Sequence, residues 1–162
     1  MPARDYDSVP IPTCGSRKDR MRALVDVLWD RFAECGYSWV GFYLKVASDE
    51  MTLGPRRDKP ACSPIGLHGM CGLAWRERRA VLVADVRTLG EHYVACDPRD
   101  MAEVVLPMLD PDGSCWGVLD VDSFEAGAFT TADVLGLARL VARAGLSEPL
   151  GDRAWPILAG GM

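Results

Sequence analysis

Residues 103–123 read EVVLPMLDPDGSCWGVLDVDS, and this stretch decides the fold. Two largely apolar runs flank the tetrapeptide DPDG at 110–113. Tight turns favour these residues, because Pro presets the backbone while Gly and Asp tolerate left-handed dihedrals. The stretch therefore predicts two consecutive strands, over 103–109 and 114–123, in an antiparallel sheet.

The second predicted strand carries two carboxylates on one face. Residues two apart in a strand point the same way, so Asp120 and Asp122 are predicted to lie beside Trp116 and Val118. Cys115 falls on the opposite face and is predicted to be core packing. A solvated edge strand would accept this carboxylate face, and so would a small-molecule pocket, which combines apolar walls with a few charges. Both interpretations stay open, and the apolar neighbours favour the pocket.

The same alternation marks an earlier strand, YSWVGFYLK at 37–45. Tyr37, Trp39, Gly41 and Tyr43 share one predicted face, and the opposite face is plainly apolar. An aromatic face with a polar edge and a glycine suits the floor of a pocket. This strand is therefore predicted to separate a pocket from the main core.

Apolar periodicity and turn signals predict the other elements. In order, they are a helix over 18–34, strands over 37–45 and 51–55, a short helix over 70–77, a strand over 81–83, the two strands above and a last helix beginning after Thr130. Irregular stretches over 58–70 and 86–101 interrupt this order. The pattern predicts an α+β fold with a central antiparallel sheet, helices packed on one face and a ligand pocket on the other.

Length and composition indicate one globular domain. The chain has 162 residues, of which 49% are hydrophobic and 25% charged. Residues 1–17 are predicted to be an N-terminal arm, 18–146 the folded domain and 147–162 a C-terminal tail. The net charge of −5 argues against a nucleic-acid binder. No apolar run is long enough for a membrane span and no secretory signal begins the chain, so a cytoplasmic location is expected.

Three of the six cysteines lie where chemistry is expected. Cys62 and Cys96 fall in the two irregular stretches, and Cys71 falls at the start of the short helix. A helix N-terminus or a nearby cation lowers the pKa of a thiol and makes it reactive. Three unrelated buried thiols would fit the spacing equally well. A zinc site that adds His68 or His92 is disfavoured, because the spacing is wide and uneven.

The segments YSWVGFYL, LGP, KPAC, MCG, HYVACD, EVVLPML and GVLDVDS, in that order, resemble the free methionine-(R)-sulfoxide reductases, which are single GAF domains. The resemblance covers about 37–140. It implies a GAF fold that reduces free methionine (R)-sulfoxide with thiols, uses no metal or organic cofactor, depends on a thioredoxin-like reductant and forms a homodimer. A GAF domain that senses a small molecule without chemistry is the alternative, and such a binder needs neither Cys62 nor Cys96.

The resemblance also implies roles for the three thiols. Cys96, in HYVACD, matches the catalytic cysteine, and Cys62, in KPAC, matches the main resolving cysteine. Cys71, in MCG, matches a secondary thiol of the relay. The chain departs from the family here, with one residue fewer between Cys62 and Cys71 and with His68 in that loop.

Five further residues match the substrate pocket of the family. The resemblance implies that the carboxylates Glu103, Asp120 and Asp122 bind the substrate and assist the chemistry. It implies that Trp39 and Tyr43 are the aromatic residues of the pocket. The alternation of side chains independently places Trp39 and Tyr43 on one face of the first strand and Asp120 and Asp122 on one face of the strand over 114–123.

Overall fold

The structure is a computed structural model that describes residues 3–11, 14–90 and 97–160. Its elements are α1 (Arg17–Phe32), β1 (Trp39–Ala47), β2 (Glu50–Arg57), α2 (Met70–Glu77), β3 (Val81–Val83), β4 (Ala102–Leu109), β5 (Cys115–Ser123), α3 (Thr131–Arg143) and β6 (Ile157–Ala159). Short 3-10 turns follow α1 and precede β6. Across these ranges, no helix combines the length and the apolar character that crossing a membrane requires.

Within the described residues, six strands form one sheet in the order β2-β1-β5-β4-β3-β6. The β4–β5 pair is antiparallel and central, as the turn at 110–113 predicted. The fold is α+β, as predicted, but the sheet is mixed because β6 runs parallel to β3, with Val81 opposite Ile157. The strand β6 lies in the segment predicted to be a C-terminal tail, and it was missed because its pairing with β3 is a tertiary contact that no local pattern shows.

The two faces of the sheet carry different layers. Helices α1 and α3 cover one face, where Val40 and Phe42 of β1 are fully buried in the larger core. Trp39 and Tyr43, from the same strand, belong to a second cluster that α2 covers. The predicted alternation of β1 is thus confirmed from Trp39 onward. The prediction that all helices pack on one face is wrong for α2, which contacts β3, β4 and β5 from the pocket side.

Two aromatic residues lie on the opposite face from the one predicted. Trp116 packs against the helix-covered core and stacks on Phe42, with ring centroids 6.3 Å apart. A register shift between Met108 and Leu109 interrupts the alternation where β5 begins. Tyr37 precedes β1 and is also buried in the helix-covered core.

The segments outside 18–146 also supply buried side chains. Tyr6 and Val9 from the N-terminal segment and Leu150 and Ala154 from the C-terminal segment join the larger core. The division into arm, domain and tail stays a prediction, but neither flanking segment is detached from the sheet and its helices.

Arg4 anchors the N-terminal segment beneath α3. Its Nη1 donates to Asp133 Oδ1 at 2.9 Å, its Nη2 donates to the carbonyl of Cys35 at 2.7 Å, and its guanidinium lies 5.1 Å from the centroid of Phe129. Tyr6 donates to the same carboxylate oxygen at 2.8 Å. Both members of the ion pair are almost fully buried. Asp133 therefore carries a buried charge that Arg4 compensates.

Replacing Arg4 with Met is expected to lower the free energy of unfolding by about 3–5 kcal/mol, because removing one partner leaves a buried charge unpaired. Arg139→Met is the matched control: Arg139 joins α3 to Asp7 of the same segment, but both side chains are more than half exposed. Exposed pairs contribute at most about 1 kcal/mol. Urea unfolding measures both variants, and equally small losses would refute the anchor.

Candidate active site

Strand register brings the predicted pocket residues into one row. In the β1–β5 pair Trp39 lies opposite Asp122, and in the β4–β5 pair Glu103 lies opposite the same Asp122. The next row places Asp120 opposite Gly41. Directly opposed residues have Cβ atoms about 5 Å apart. Residues that are far apart in sequence therefore form one polar and aromatic patch across three adjacent strands.

Gly41 makes room for the aromatic floor. A Cβ at this position would lie 2.4 Å from the ring of Trp39 and 2.7 Å from Cβ of Arg56. The absence of a side chain lets the indole lie across the strand, and its centroid is 6.1 Å from that of Tyr43. The glycine that the sequence marked as part of a pocket floor is thus required by the position of the indole.

A cavity of about 150 Å³ opens over this patch. Its lining residues are Trp39, Tyr43, Lys59, Pro60, Ala61, Asp97, Asp100, Glu103, Asp120 and Asp122. A smaller cavity of about 30 Å³ adjoins it, shares Tyr43, Glu103 and Asp120, and reaches Cys71. The predicted aromatic and carboxylate residues therefore surround one space, on the face of the sheet opposite α1 and α3.

The three predicted carboxylates are buried together. Glu103, Asp120 and Asp122 are each less than one-tenth exposed, and strand pairing places Glu103 opposite Asp122. Burial raises the pKa of Glu103. Burial and then the charges of its two neighbours raise the pKa of Asp120 well above its usual value, and burial and then Glu103 do the same for Asp122. The cluster therefore holds protons at a pH where isolated carboxyls are ionised.

Two carboxylate oxygens in this cluster are left for a ligand. Oδ1 of Asp120 and Oδ1 of Asp122 are buried and have no hydrogen-bond partner among the described residues. A buried acceptor without a partner costs about 1–3 kcal/mol. A ligand with N–H or O–H donors would recover this energy, so the arrangement favours a polar ligand that carries several hydrogen-bond donors.

Sequence reasoning missed a fourth carboxylate. Asp100 lines the same cavity and is 6% exposed. Burial, followed by the charges of Asp97 and Glu103, raises the pKa of Asp100 to about 6. It accepts a hydrogen bond from Ser38 Oγ at 3.4 Å. Asp100 lies in an irregular stretch, where no periodicity assigns a side chain to a face.

The aromatic floor holds the loop that carries Cys62. Trp39 Nε1 donates to the carbonyl of Lys59 at 2.9 Å, and the hydroxyl of Tyr43 donates to the carbonyl of Cys62 at 2.9 Å. Cys62 itself is exposed. The two aromatic residues thus bind the loop backbone as well as lining the cavity, and they leave the thiol accessible.

Cys71 lies in a different environment from Cys62. It is 6% exposed in the first turn of α2 and reaches the smaller cavity beside Glu103 and Asp120. Burial, and then the charges of these two carboxylates, raise the pKa of the Cys71 thiol well above its usual value. The lowered pKa expected at a helix N-terminus is therefore wrong here, because burial and negative neighbours outweigh the helix dipole. The described cysteines are all free thiols.

The proposed nucleophile, Cys96, lies outside the described residues, as does His92. The next residue in the chain, Asp97, lines the larger cavity and forms an ion pair with Lys59. Lys59 and Asp97 stand in the quoted segments KPAC and HYVACD, which was the only signal that could have marked them. Their pair joins the loop of Cys62 to the segment that follows Cys96.

Phe124 reinforces this connection. The ammonium of Lys59 lies 5.0 Å from its ring centroid and the guanidinium of Arg99 lies 4.5 Å from it. Arg99 also donates to both oxygens of Asp97. These two cations hold the pKa of Asp97 below its usual range, so this carboxylate stays ionised while its neighbours in the cavity hold protons. Cations at an aromatic face gain about 0.5–2 kcal/mol, which stabilises this corner of the cavity.

Comparison with known proteins identifies relatives of this architecture. The GAF domain model matches residues 19–147. A free methionine-R-sulfoxide reductase of Escherichia coli is 38% identical over 72% of this chain and 68% of its own length. That of Saccharomyces cerevisiae is 37% identical over 64% of this chain and 58% of its own length. The structure of the Neisseria meningitidis free methionine-R-sulfoxide reductase with its substrate superposes with a TM-score of 0.73 at 34% identity, covering 80% of this chain and 75% of the other.

Proposed function

The chain belongs to the free methionine-R-sulfoxide reductase family of GAF domains, and we propose that it reduces free L-methionine (R)-sulfoxide to methionine. One observation carries the proposal: the aromatic residues and carboxylates that the family pattern names surround a single cavity. That agreement supports an active site, because the two aromatic residues, Glu103 and the two aspartates come from three separate strands that only the fold brings together.

The cavity supplies contacts suited to a free amino acid. The ammonium of methionine sulfoxide has three N–H donors, and the free oxygens of Asp120 and Asp122 are buried acceptors. Hydrogen bonds to charged groups contribute about 1.5–3 kcal/mol each. We propose that the rings of Trp39 and Tyr43, which line the cavity, contact the apolar side chain. A methionine residue within a peptide has no ammonium, so the proposed site selects the free amino acid.

The proposed chemistry is a thiol-dependent reduction. The Cys96 thiolate attacks the sulfoxide sulfur and forms an S–S bond while the oxygen takes up a proton. The S–S and S–O bonds then break as the oxygen moves to the cysteine sulfur, which leaves a sulfenic acid and releases methionine. The oxygen needs a proton as it leaves the substrate. Glu103, buried and with a raised pKa, is the proposed donor.

The proposed resetting of the enzyme uses a second thiol. The Cys62 thiol condenses with the sulfenic acid, which forms a Cys62–Cys96 disulfide and releases water. A thioredoxin-like dithiol then exchanges with the disulfide and restores both thiols. The exposure of Cys62 supports this role, because a reductant must reach it. Cys71 is buried beneath the cavity and is proposed as a secondary thiol.

This cycle needs a reducing compartment, so we propose a cytoplasmic location. The homodimer that the family resemblance implies stays a prediction. No resident metal or organic cofactor takes part in the proposed steps, since the thiols supply both electrons.

We expect the purified protein, with a dithiol reductant, to convert free methionine (R)-sulfoxide to methionine and to leave the S epimer unchanged. Chromatographic detection of methionine is the measurement, and Cys14→Ser is a matched thiol control because Cys14 is exposed outside the cavity. A non-catalytic GAF sensor would bind the sulfoxide without forming methionine, so binding without product would overturn the reductase assignment.

A further inference from the structure

A thiol and two carboxylates meet beneath the proposed substrate cavity. The Sγ of Cys71 and one carboxylate oxygen each of Glu103 and Asp120 all lie within 4.8 Å of one another. The three residues come from α2, β4 and β5, so three packed elements fix their positions. All three are less than one-tenth exposed.

The geometry points to a second ligand at this place: we propose that Cys71, Glu103 and Asp120 bind a thiophilic divalent cation of the Zn²⁺ type, which excludes the substrate. The consequence for the substrate rests on the proposed function, whereas the binding of the metal does not. Nothing in the spacing of the cysteines predicted this site, because its thiol is paired with carboxylates from distant strands.

The unpartnered oxygen of Asp120 supports this proposal independently of the cluster. Asp120 is 5% exposed, it lines the smaller cavity with Cys71 and Glu103, and its Oδ1 has no hydrogen-bond partner among the described residues. Lys59 is the one Lys or Arg among the described residues that line the two cavities, and it is paired with Asp97. The cluster therefore has a free buried ligand atom and, among the described residues that line the two cavities, no cation of its own, and a bound metal would displace the protons that these groups hold.

The donor set selects the type of metal. Zn²⁺ binds Cys at about 2.3 Å and Asp or Glu at about 2.0–2.2 Å, commonly with three protein ligands and one open position. Mg²⁺ and Ca²⁺ need six or more oxygen ligands and do not favour a thiolate. Tetrahedral coordination would bring the three atoms to about 3.5 Å apart, so metal binding would require the side chains to rotate toward one another. The smaller cavity, about 30 Å³, is large enough for a water as fourth ligand.

A metal here would compete with the substrate. Asp120 is proposed to accept the ammonium of methionine sulfoxide, and the same carboxylate would ligate the cation. Glu103, the proposed proton donor, would be bound to the metal instead. We therefore expect Zn²⁺ to raise KM for free methionine sulfoxide and to leave kcat unchanged.

The binding test uses reduced, metal-free protein titrated with Zn²⁺ against a chromophoric chelator. The background is the Cys62→Ser/Cys96→Ser double variant, which removes the two thiols of the proposed relay. We expect one Zn²⁺ per chain in this background, and at least a tenfold loss of affinity when either Cys71→Ala or Asp120→Asn is added. Cys115→Ser is the matched control, because Cys115 packs on the opposite face of the sheet.

Cadmium provides a spectroscopic check of the ligand. Cd²⁺ added to the double variant should give thiolate-to-metal absorption in the ultraviolet that disappears in Cys71→Ala and persists in Cys115→Ser. Circular dichroism confirms that each variant is folded, and Cys71→Ser replaces Cys71→Ala if the alanine variant is not.

Absence of Zn²⁺ binding in the folded double variant would overturn the site, and so would binding that survives both Cys71→Ala and Asp120→Asn. These outcomes are separable from the proposed function. An inactive protein that binds Zn²⁺ through Cys71 keeps the metal site and loses the reductase assignment. If wild-type protein is active and the folded double variant binds no Zn²⁺, the reductase assignment stands and the metal site is lost.

Discussion

Cys96→Ser is expected to abolish the formation of methionine, with a loss of at least roughly three powers of ten in rate. A serine hydroxyl is a far weaker nucleophile than a thiolate and cannot form the sulfenic acid that carries the oxygen away. The loss should appear in a single turnover, before any reductant is needed. The measurement is methionine released per protein when an excess of free methionine (R)-sulfoxide is added without dithiol.

Cys62→Ser is the matched variant, because it removes the second thiol of the proposed relay and leaves the nucleophile. It should release one equivalent of methionine and then stop in the presence of a thioredoxin-type reductant. Peptide mapping of wild-type protein after one turnover should find a Cys62–Cys96 disulfide. One equivalent of methionine from Cys96→Ser would contradict the assignment of the nucleophile. A disulfide found only between Cys71 and Cys96 would transfer the resolving role to the buried thiol.

The strands and their two faces were predictable because side chains alternate with a period of two along a strand. That rule placed Trp39 with Tyr43 and Asp120 with Asp122 without any knowledge of pairing. The register that places Asp122 between Trp39 and Glu103 was beyond such a rule, since it depends on how separate strands align. Trp116 shows the limit within one strand, where a register shift reverses the face.

The loops around the cavity were less predictable than its strands. Asp100 and the Lys59–Asp97 pair come from irregular segments, where a side chain's direction depends on contacts that no local period encodes. The pKa of Cys71 shows a similar limit. Its helical position was predicted, but its burial and then the charges of two carboxylates from separate strands raise the pKa of the thiol, opposite to the expected direction.

The environment of Arg4 could not be predicted from the sequence either. Its position near the N-terminus predicts a solvent-exposed residue of an arm, but the side chain of Arg4 is buried against Asp133. The partner lies 129 positions away in the sequence, so no local pattern joins them. The burial of this ion pair depends on how two distant segments pack in the folded protein, so a local sequence pattern cannot predict it.

The second large effect concerns the choice between a free amino acid and a peptide. An N-acetylated, amidated methionine (R)-sulfoxide should react at least roughly ten to a hundred times more slowly, in kcat/KM, than the free amino acid. Losing the ammonium removes charge-assisted hydrogen bonds worth about 1.5–3 kcal/mol each, and each 1.4 kcal/mol is tenfold. It also leaves the buried oxygens of Asp120 and Asp122 without donors.

Asp122→Asn should reduce this discrimination, because a neutral amide gives the ammonium a weaker partner and leaves the blocked analogue less disfavoured. Glu103→Gln tests a different step, since Gln fills the same space but cannot release a proton. Its main loss should be in kcat. In wild-type protein kcat should fall as pH rises through the raised pKa of Glu103, because the proton donor is then lost, and this fall should be absent in Glu103→Gln. Equal rates on the free and blocked substrates, in folded wild-type protein, would contradict recognition of the ammonium by these carboxylates, whatever the fate of Cys96.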